Sequence, residues 1–108
     1  MSLVGTYQCA SLNSSFVVEN ANNANGSANG VFKMDGMIIP VTIHYHFENN
    51  VGPVTNLWFG GGNDNPNHYV GGAGLTNNST YAEIILGFGW PTPGGVRTFS
   101  GSYVKVAE

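Results

Sequence analysis

Charged side chains are scarce in this sequence: Lys, Arg, Asp and Glu make up 8% of 108 residues, about a third of the usual share. Three Lys+Arg against six Asp+Glu leave a net charge of -3. No basic stripe exists to neutralise a phosphate backbone, which argues against nucleic acid as a partner. The net charge is also too small for intrinsic disorder at 42% hydrophobic content. Cysteine occurs once, as Cys9, which excludes an internal disulfide framework and a Cys-rich zinc site. No stretch approaches the roughly 20 apolar residues of a membrane span. Met1-Ser2-Leu3-Val4-Gly5 has neither the basic start nor the apolar run of a signal peptide. The expectation is a cytoplasmic protein or the mature form of a secreted one, without a membrane partner.

Recognisable catalytic signatures are missing as well. No Gly-x-Ser-x-Gly elbow, phosphate loop or dinucleotide fingerprint occurs, and Gly60-Gly61-Gly62-Asn63-Asp64 runs into Asn65 and Pro66 rather than into a helix. Of the acids Glu19, Asp35, Glu48, Asp64, Glu83 and Glu108, one belongs to a turn and one is terminal. No catalytic residue and no cofactor is assigned.

What the sequence has in abundance is turn-forming residues: 16 Gly and 14 Asn, types that end helices and populate turns. A length of 108 residues is that of one domain. Period-2 alternation and Gly/Asn/Pro clusters divide the chain into eight strand-like segments: Leu3–Ala10, Ser14–Asn20, Asn29–Met34, Met37–Glu48, Pro53–Phe59, His68–Leu75, Thr80–Phe88 and Val96–Val106. Asp35-Gly36 reads as a type I′ hairpin turn, since both central residues need positive φ. Longer loops are expected at Ala21–Ala28, Asn49–Gly52, Gly60–Asn67 and Gly89–Gly95. Links this short favour antiparallel neighbours. The expected fold is therefore all-β, an eight-stranded antiparallel up-and-down barrel in one domain, with a two-sheet sandwich as the competitor. Closure removes edges that so few charges would protect poorly.

The alternation adds detail. Val41, Ile43, Tyr45 and Phe47 read as a buried face, with Thr42, His44, His46 and Glu48 wet. Thr80–Phe88 is largely apolar on both faces, which predicts a core on one side and a second subunit on the other, in a homodimer or homotetramer. In the last segment an inward face of Val96, Thr98, Ser100 and Ser102 would leave room for a polar ligand.

Two constellations point to binding. Trp58 precedes Gly60-Gly61-Gly62, where core packing is the simpler reading, and Trp90 stands in Gly89-Trp90-Pro91-Thr92-Pro93-Gly94-Gly95, where a large ring needs a cover. That cover is a ligand, a sugar or a subunit, unless Trp90 folds back to plug the barrel. His44-Tyr45-His46-Phe47-Glu48 places two imidazoles and a carboxylate on one strand face, with His68 as a third nitrogen for a metal. The simpler reading puts this triplet in solvent.

Leu3-Val4-Gly5-Thr6-Tyr7 followed by Leu12-Asn13-Ser14-Ser15-Phe16-Val17-Val18 resembles the opening of avidin- and streptavidin-like proteins. Gly30-Val31-Phe32, Trp58, Trp90 and the run from Thr98-Phe99 to Val106 follow that family's strand order. The resemblance implies an up-and-down barrel that binds biotin at its mouth and forms dimers or tetramers. Tyr7, Cys9 and Phe32 stand where the family has Trp, Asn and Tyr, and no Asp lies near Arg97. Only Ser14 and Trp58 carry over as pocket positions, so the resemblance speaks to fold more than to biotin.

The expectation is non-catalytic binding of a small molecule or glycan at the open end of an avidin- or lipocalin-like barrel. Tyr7, Trp58 and Trp90 would stack on the ligand, and Asn13, Ser14 and Asn56 would hydrogen-bond it. A barrel cyclase or isomerase, a His-metal hydrolase and an inhibitor-type interaction module are the alternatives.

Overall fold

A computed structural model describes residues 2–64 and 67–108. Eight strands follow one another: β1 Gly5–Cys9, β2 Ser14–Asn22, β3 Ser27–Met34, β4 Met37–Phe47, β5 Val54–Asn63, β6 His68–Asn77, β7 Glu83–Thr92 and β8 Gly95–Ala107, with a 3-10 turn at Ala10–Leu12. Each pairs antiparallel with the next and β8 returns to β1, closing the barrel. The up-and-down barrel expected from the sequence is the fold.

Local chemistry sets the turns. Asp35 and Gly36 take φ of 51° and 80°, the positive values a type I′ turn requires, and Met34 faces Met37 across it. One end of the barrel gathers this hairpin, the 3-10 turn and the β5–β6 and β7–β8 turns, and is called here the hairpin end. The other, the terminal end, holds both chain ends and the loops after β2, β4 and β6.

Several strands run further than expected, β5 and β7 by four residues each at their C-terminal ends. Gly60–Gly62 belong to β5, and Gly89-Trp90-Pro91-Thr92 to β7, so Trp90 is a strand residue and not a loop residue. Glycine reads as a loop former, but here it lets backbones pass closely: a Cβ on Gly61 would lie 2.0 Å from the Pro40 carbonyl oxygen. Positions 65 and 66 of the expected loop lie outside the described residues.

The barrel axis is filled by rings. Phe16 packs on Phe59 at 4.9 Å, Phe32 on Phe88 at 4.9 Å, Phe88 on Phe99 at 5.8 Å and Trp90 on Phe99 at 4.7 Å. This reverses the expected orientation of the last strand. Phe99 and Tyr103 take the inner side and Thr98, Ser100 and Ser102 the outer, because the axis is closed by aromatic volume and hydroxyls are cheaper to leave in water. Phe47, expected in the core, sits exposed at the last position of β4. At the terminal end Lys105 acts as a stopper. Its Nζ donates to the carbonyls of Ser2 (2.8 Å) and Val4 (3.1 Å) and lies 5.3 Å from the Tyr7 ring centre and 5.8 Å from that of Tyr81.

Candidate functional site

A cleft of about 350 Å³ opens at the hairpin end, between the β1–β2 connection and the β3–β4 hairpin. That volume is at the lower limit for small-molecule sites. Its walls follow from two turns. Asn13 adopts the left-handed conformation (φ 49°) that ends the 3-10 turn, with its N–H donating to Ala10 O at 3.2 Å. The next residue, Ser14, begins β2 with its side chain inward, opposite Met34 of β3. Asp35-Gly36 forms the facing lip, Gln8 and Lys33 flank it, and Cys9, Met34 and Met37 supply an apolar side.

Ser14 is fixed in place. Buried Tyr103 donates its hydroxyl to Ser14 Oγ at 2.8 Å, and Ser14 Oγ donates to Lys33 O at 2.8 Å. A serine hydroxyl has one proton and two lone pairs. Its proton goes to a backbone carbonyl, one lone pair receives the phenol, and one acceptor position remains. Ser14 is therefore built to accept a hydrogen bond, and it lacks the imidazole partner that activates a nucleophile. Burial pushes the Tyr103 pKa up to about 12, the Ser14 hydrogen bond opposing the shift and the neighbouring Cys9 adding to it. The phenol is thus a permanent donor at neutral pH. Cys9 is itself buried, with Sγ 3.4 Å from Ser11 Oγ.

The six expected ligand residues do not form one site. Asn13 and Ser14 meet in the cleft. Tyr7 is fully buried, with its hydroxyl donating to Leu3 O at 2.7 Å near the terminal end. Trp90 is buried inside the barrel, stacked on Phe99, and plugs the hairpin end. Trp58, expected in the core or the pocket, points outward from β5 and is 44% exposed. Asn56 lies two residues away on the same outer face. The histidines divide too: His44 and His46 face Trp58 and Asn56, whereas His68 faces Asn63, about 17 Å further along β5. Among the described residues no three His, Cys, Asp or Glu stand together to hold a metal ion.

Gln8, Lys33, Asp35 and Tyr103 were not anticipated in the site. The Asp35-Gly36 turn was readable, but that it folds beside the 3-10 turn follows from the β2–β3 register, Ser14 to Met34. Searches of family models, curated proteins and solved structures find no significant match to this chain.

Proposed function

We propose that the protein is a non-catalytic binding barrel whose ligand, a small and largely neutral polar molecule, seats in the cleft at the hairpin end. The observation that carries this reading is the Tyr103–Ser14–Lys33 hydrogen-bond chain, which leaves one rigid acceptor at a concave site beside the exposed Asn13. A ligand N–H or O–H meets Ser14, the Asn13 amide offers both donor and acceptor, and Met34 and Met37 receive an apolar edge. The similarity to avidin in Leu12-Asn13-Ser14 supports a ligand at this end, with biotin as one compound to try.

The test is an amide-resolved NMR titration with biotin, simple sugars and common metabolites. Saturating shifts are expected at Asn13, Ser14, Ser15 and Asp35. Asn13→Asp, which keeps a residue tolerant of positive φ but removes the amide donor, is expected to weaken binding roughly tenfold, the equivalent of one lost hydrogen bond. A panel that leaves all four amides unmoved would discard the cleft.

A second reading is self-association through the outer wall of β6–β8. Leu75 and Ile85 are cross-strand neighbours, 52% and 50% exposed, and exposed Val104 of β8 lies diagonal to Ile85, opposite Glu83. Adjacent exposed aliphatics on a smooth wall suit an isologous contact. Sedimentation velocity is expected to give a dimer or tetramer that Ile85→Asp converts to monomer. A wild-type monomer at micromolar concentration would refute this.

A further inference from the structure

The outer face of β4–β6 carries a second feature, unconnected to the cleft. Trp58 projects from β5 with His46 standing perpendicular to it at 5.4 Å, so its tilt is set. Four residues along β5, the Tyr69 ring lies across Gly62, where an added Cβ would fall 2.4 Å from Tyr69 Cδ1. Tyr69 is 40% exposed, and its hydroxyl donates to Asp64 Oδ1 at 2.7 Å, which pins the ring. Between the two aromatics the floor is bare backbone. Gly60 pairs with Gly71, and a Cβ on Gly71 would meet nothing within 4 Å. The trough is about 13 Å long at 3.3 Å per residue, longer than a single sugar ring. Thr42 and His44 of β4 pair with Gly60 and Trp58 and border it with hydrogen-bonding groups.

We propose that this trough binds a linear, neutral oligosaccharide along β5, its sugar rings stacking on Trp58 and Tyr69 and its hydroxyls meeting Thr42, His44 and Asn56. Charge selects this class. The outward residues of β4, β5 and β6 include no Lys, Arg, Asp or Glu. The charge beside the trough is the Asp64 carboxylate at its Tyr69 end, which accepts the Tyr69 hydroxyl, so a nucleotide, a phospholipid headgroup or an acidic peptide finds no counter-ion there, whereas a polyhydroxylated neutral chain needs none. The C–H face of a sugar ring is apolar and packs on an aromatic face, while its rim of hydroxyls requires the neutral donors and acceptors found alongside. Area weighs against a second copy of the protein at this place. A trough about 13 Å by 10 Å offers on the order of 130 Å², against about 800 Å² per partner in a stable protein interface. The glycines are explained as well: any side chain at Gly60 or Gly71 would stand between the two stacking rings.

The experiment is intrinsic fluorescence of the full chain titrated with cellohexaose, xylohexaose, mannohexaose and chitohexaose, and with glucose alone. Trp58 is the exposed reporter, and Trp90 is a shielded background. A saturable change is expected with one or more hexasaccharides, at least tenfold weaker with glucose. It is expected to vanish in Trp58→Ala and to weaken roughly tenfold in Tyr69→Ala, the scale of one lost aromatic contact. Asn13→Asp should leave it unchanged, so failure of the cleft and failure of the trough are told apart. Both tested aromatics are outside the core, and circular dichroism is the check that the variants fold. The proposal is overturned if no hexasaccharide changes the emission, if the change survives in Trp58→Ala, or if acrylamide fails to quench Trp58 in the unliganded protein, which would place a second copy over the wall.

Discussion

Phe88→Ala is expected to lower the stability of the barrel by about 3–5 kcal/mol, the range for removing a buried ring from a close-packed core. Phe88 touches more of the aromatic ladder than its neighbours do: Phe32 at 4.9 Å, Phe99 at 5.8 Å, and Trp90 and Tyr103 at 6.2 Å each. The lost transfer energy is compounded by a cavity, because the walls around it are strands held in a closed ladder and cannot collapse inward. In a domain of this size such a loss lowers Tm by on the order of 15–25 °C. Trp58→Ala removes a larger ring from the outer wall, and its expected cost is within about 0.5 kcal/mol. Urea or thermal unfolding of the two variants checks both. A Phe88→Ala loss below about 1 kcal/mol would mean that the ladder is not what holds the barrel.

That contrast marks where the sequence was legible. Period 2 placed Val41, Ile43 and Tyr45 inward and His44 and His46 outward, as found, because β4 is paired on both sides and one-sided in its burial. Asp35-Gly36 was readable because only a few residue types take positive φ at both turn positions. In β5 and β8 the pattern gave the wrong orientation. Trp58 alternates with Leu57 and Phe59, so hydrophobicity alone leaves either face possible, and the barrel settled it by taking the two smaller apolar residues. In β8 the alternation of Phe99, Gly101 and Tyr103 with Thr98, Ser100 and Ser102 was visible, but assigning the hydroxyls inward presumed a hollow barrel.

The site divided for the same reason. Asn13 and Ser14 came together because they are adjacent in sequence, where the 3-10 turn ends and β2 begins, which is local information. Tyr7, Trp58 and Trp90 were grouped by chemical type, and type does not fix which face or which end of a strand a residue occupies. Strand register does that, and it depends on how each strand pairs with the next, such as Trp90 to Arg97 and Trp58 to His44. The trough on β5 was hidden by the same glycines that define it: three in a row read as a loop, and only their pairing with β6 turns them into a floor.

The barrel is expected to lose stability as pH rises from 10 towards 12 and to unfold in alkali, with Tyr7 and Tyr103 ionising only as it opens. Burial holds the Tyr7 phenol well above its ordinary range, and the negative charge of Glu108 and the neighbouring Tyr81 add to the effect. Burial likewise raises Tyr103 to about 12. In the unfolded chain both return to about 10. Between those values the unfolded state binds fewer protons than the folded one, so unfolding releases protons and ΔG of unfolding falls with pH. The stabilisation is complete below pH 10 and disappears as the folded pKa is passed. Tyr103 alone contributes on the order of 2 kcal/mol across this window. Tyr103→Phe removes that ionisation and moves the alkaline midpoint upward. It also deprives Ser14 of its donor, at a cost of about 1 kcal/mol at neutral pH. Tyrosinate absorbance and far-ultraviolet circular dichroism, followed on one sample, decide the matter: Tyr7 and Tyr103 should titrate together with loss of the sheet. If all five tyrosines ionise near pH 10 in a barrel that keeps its dichroism, the hydroxyls of Tyr7 and Tyr103 are not sealed in the core, and the rigid acceptor at Ser14 loses its support.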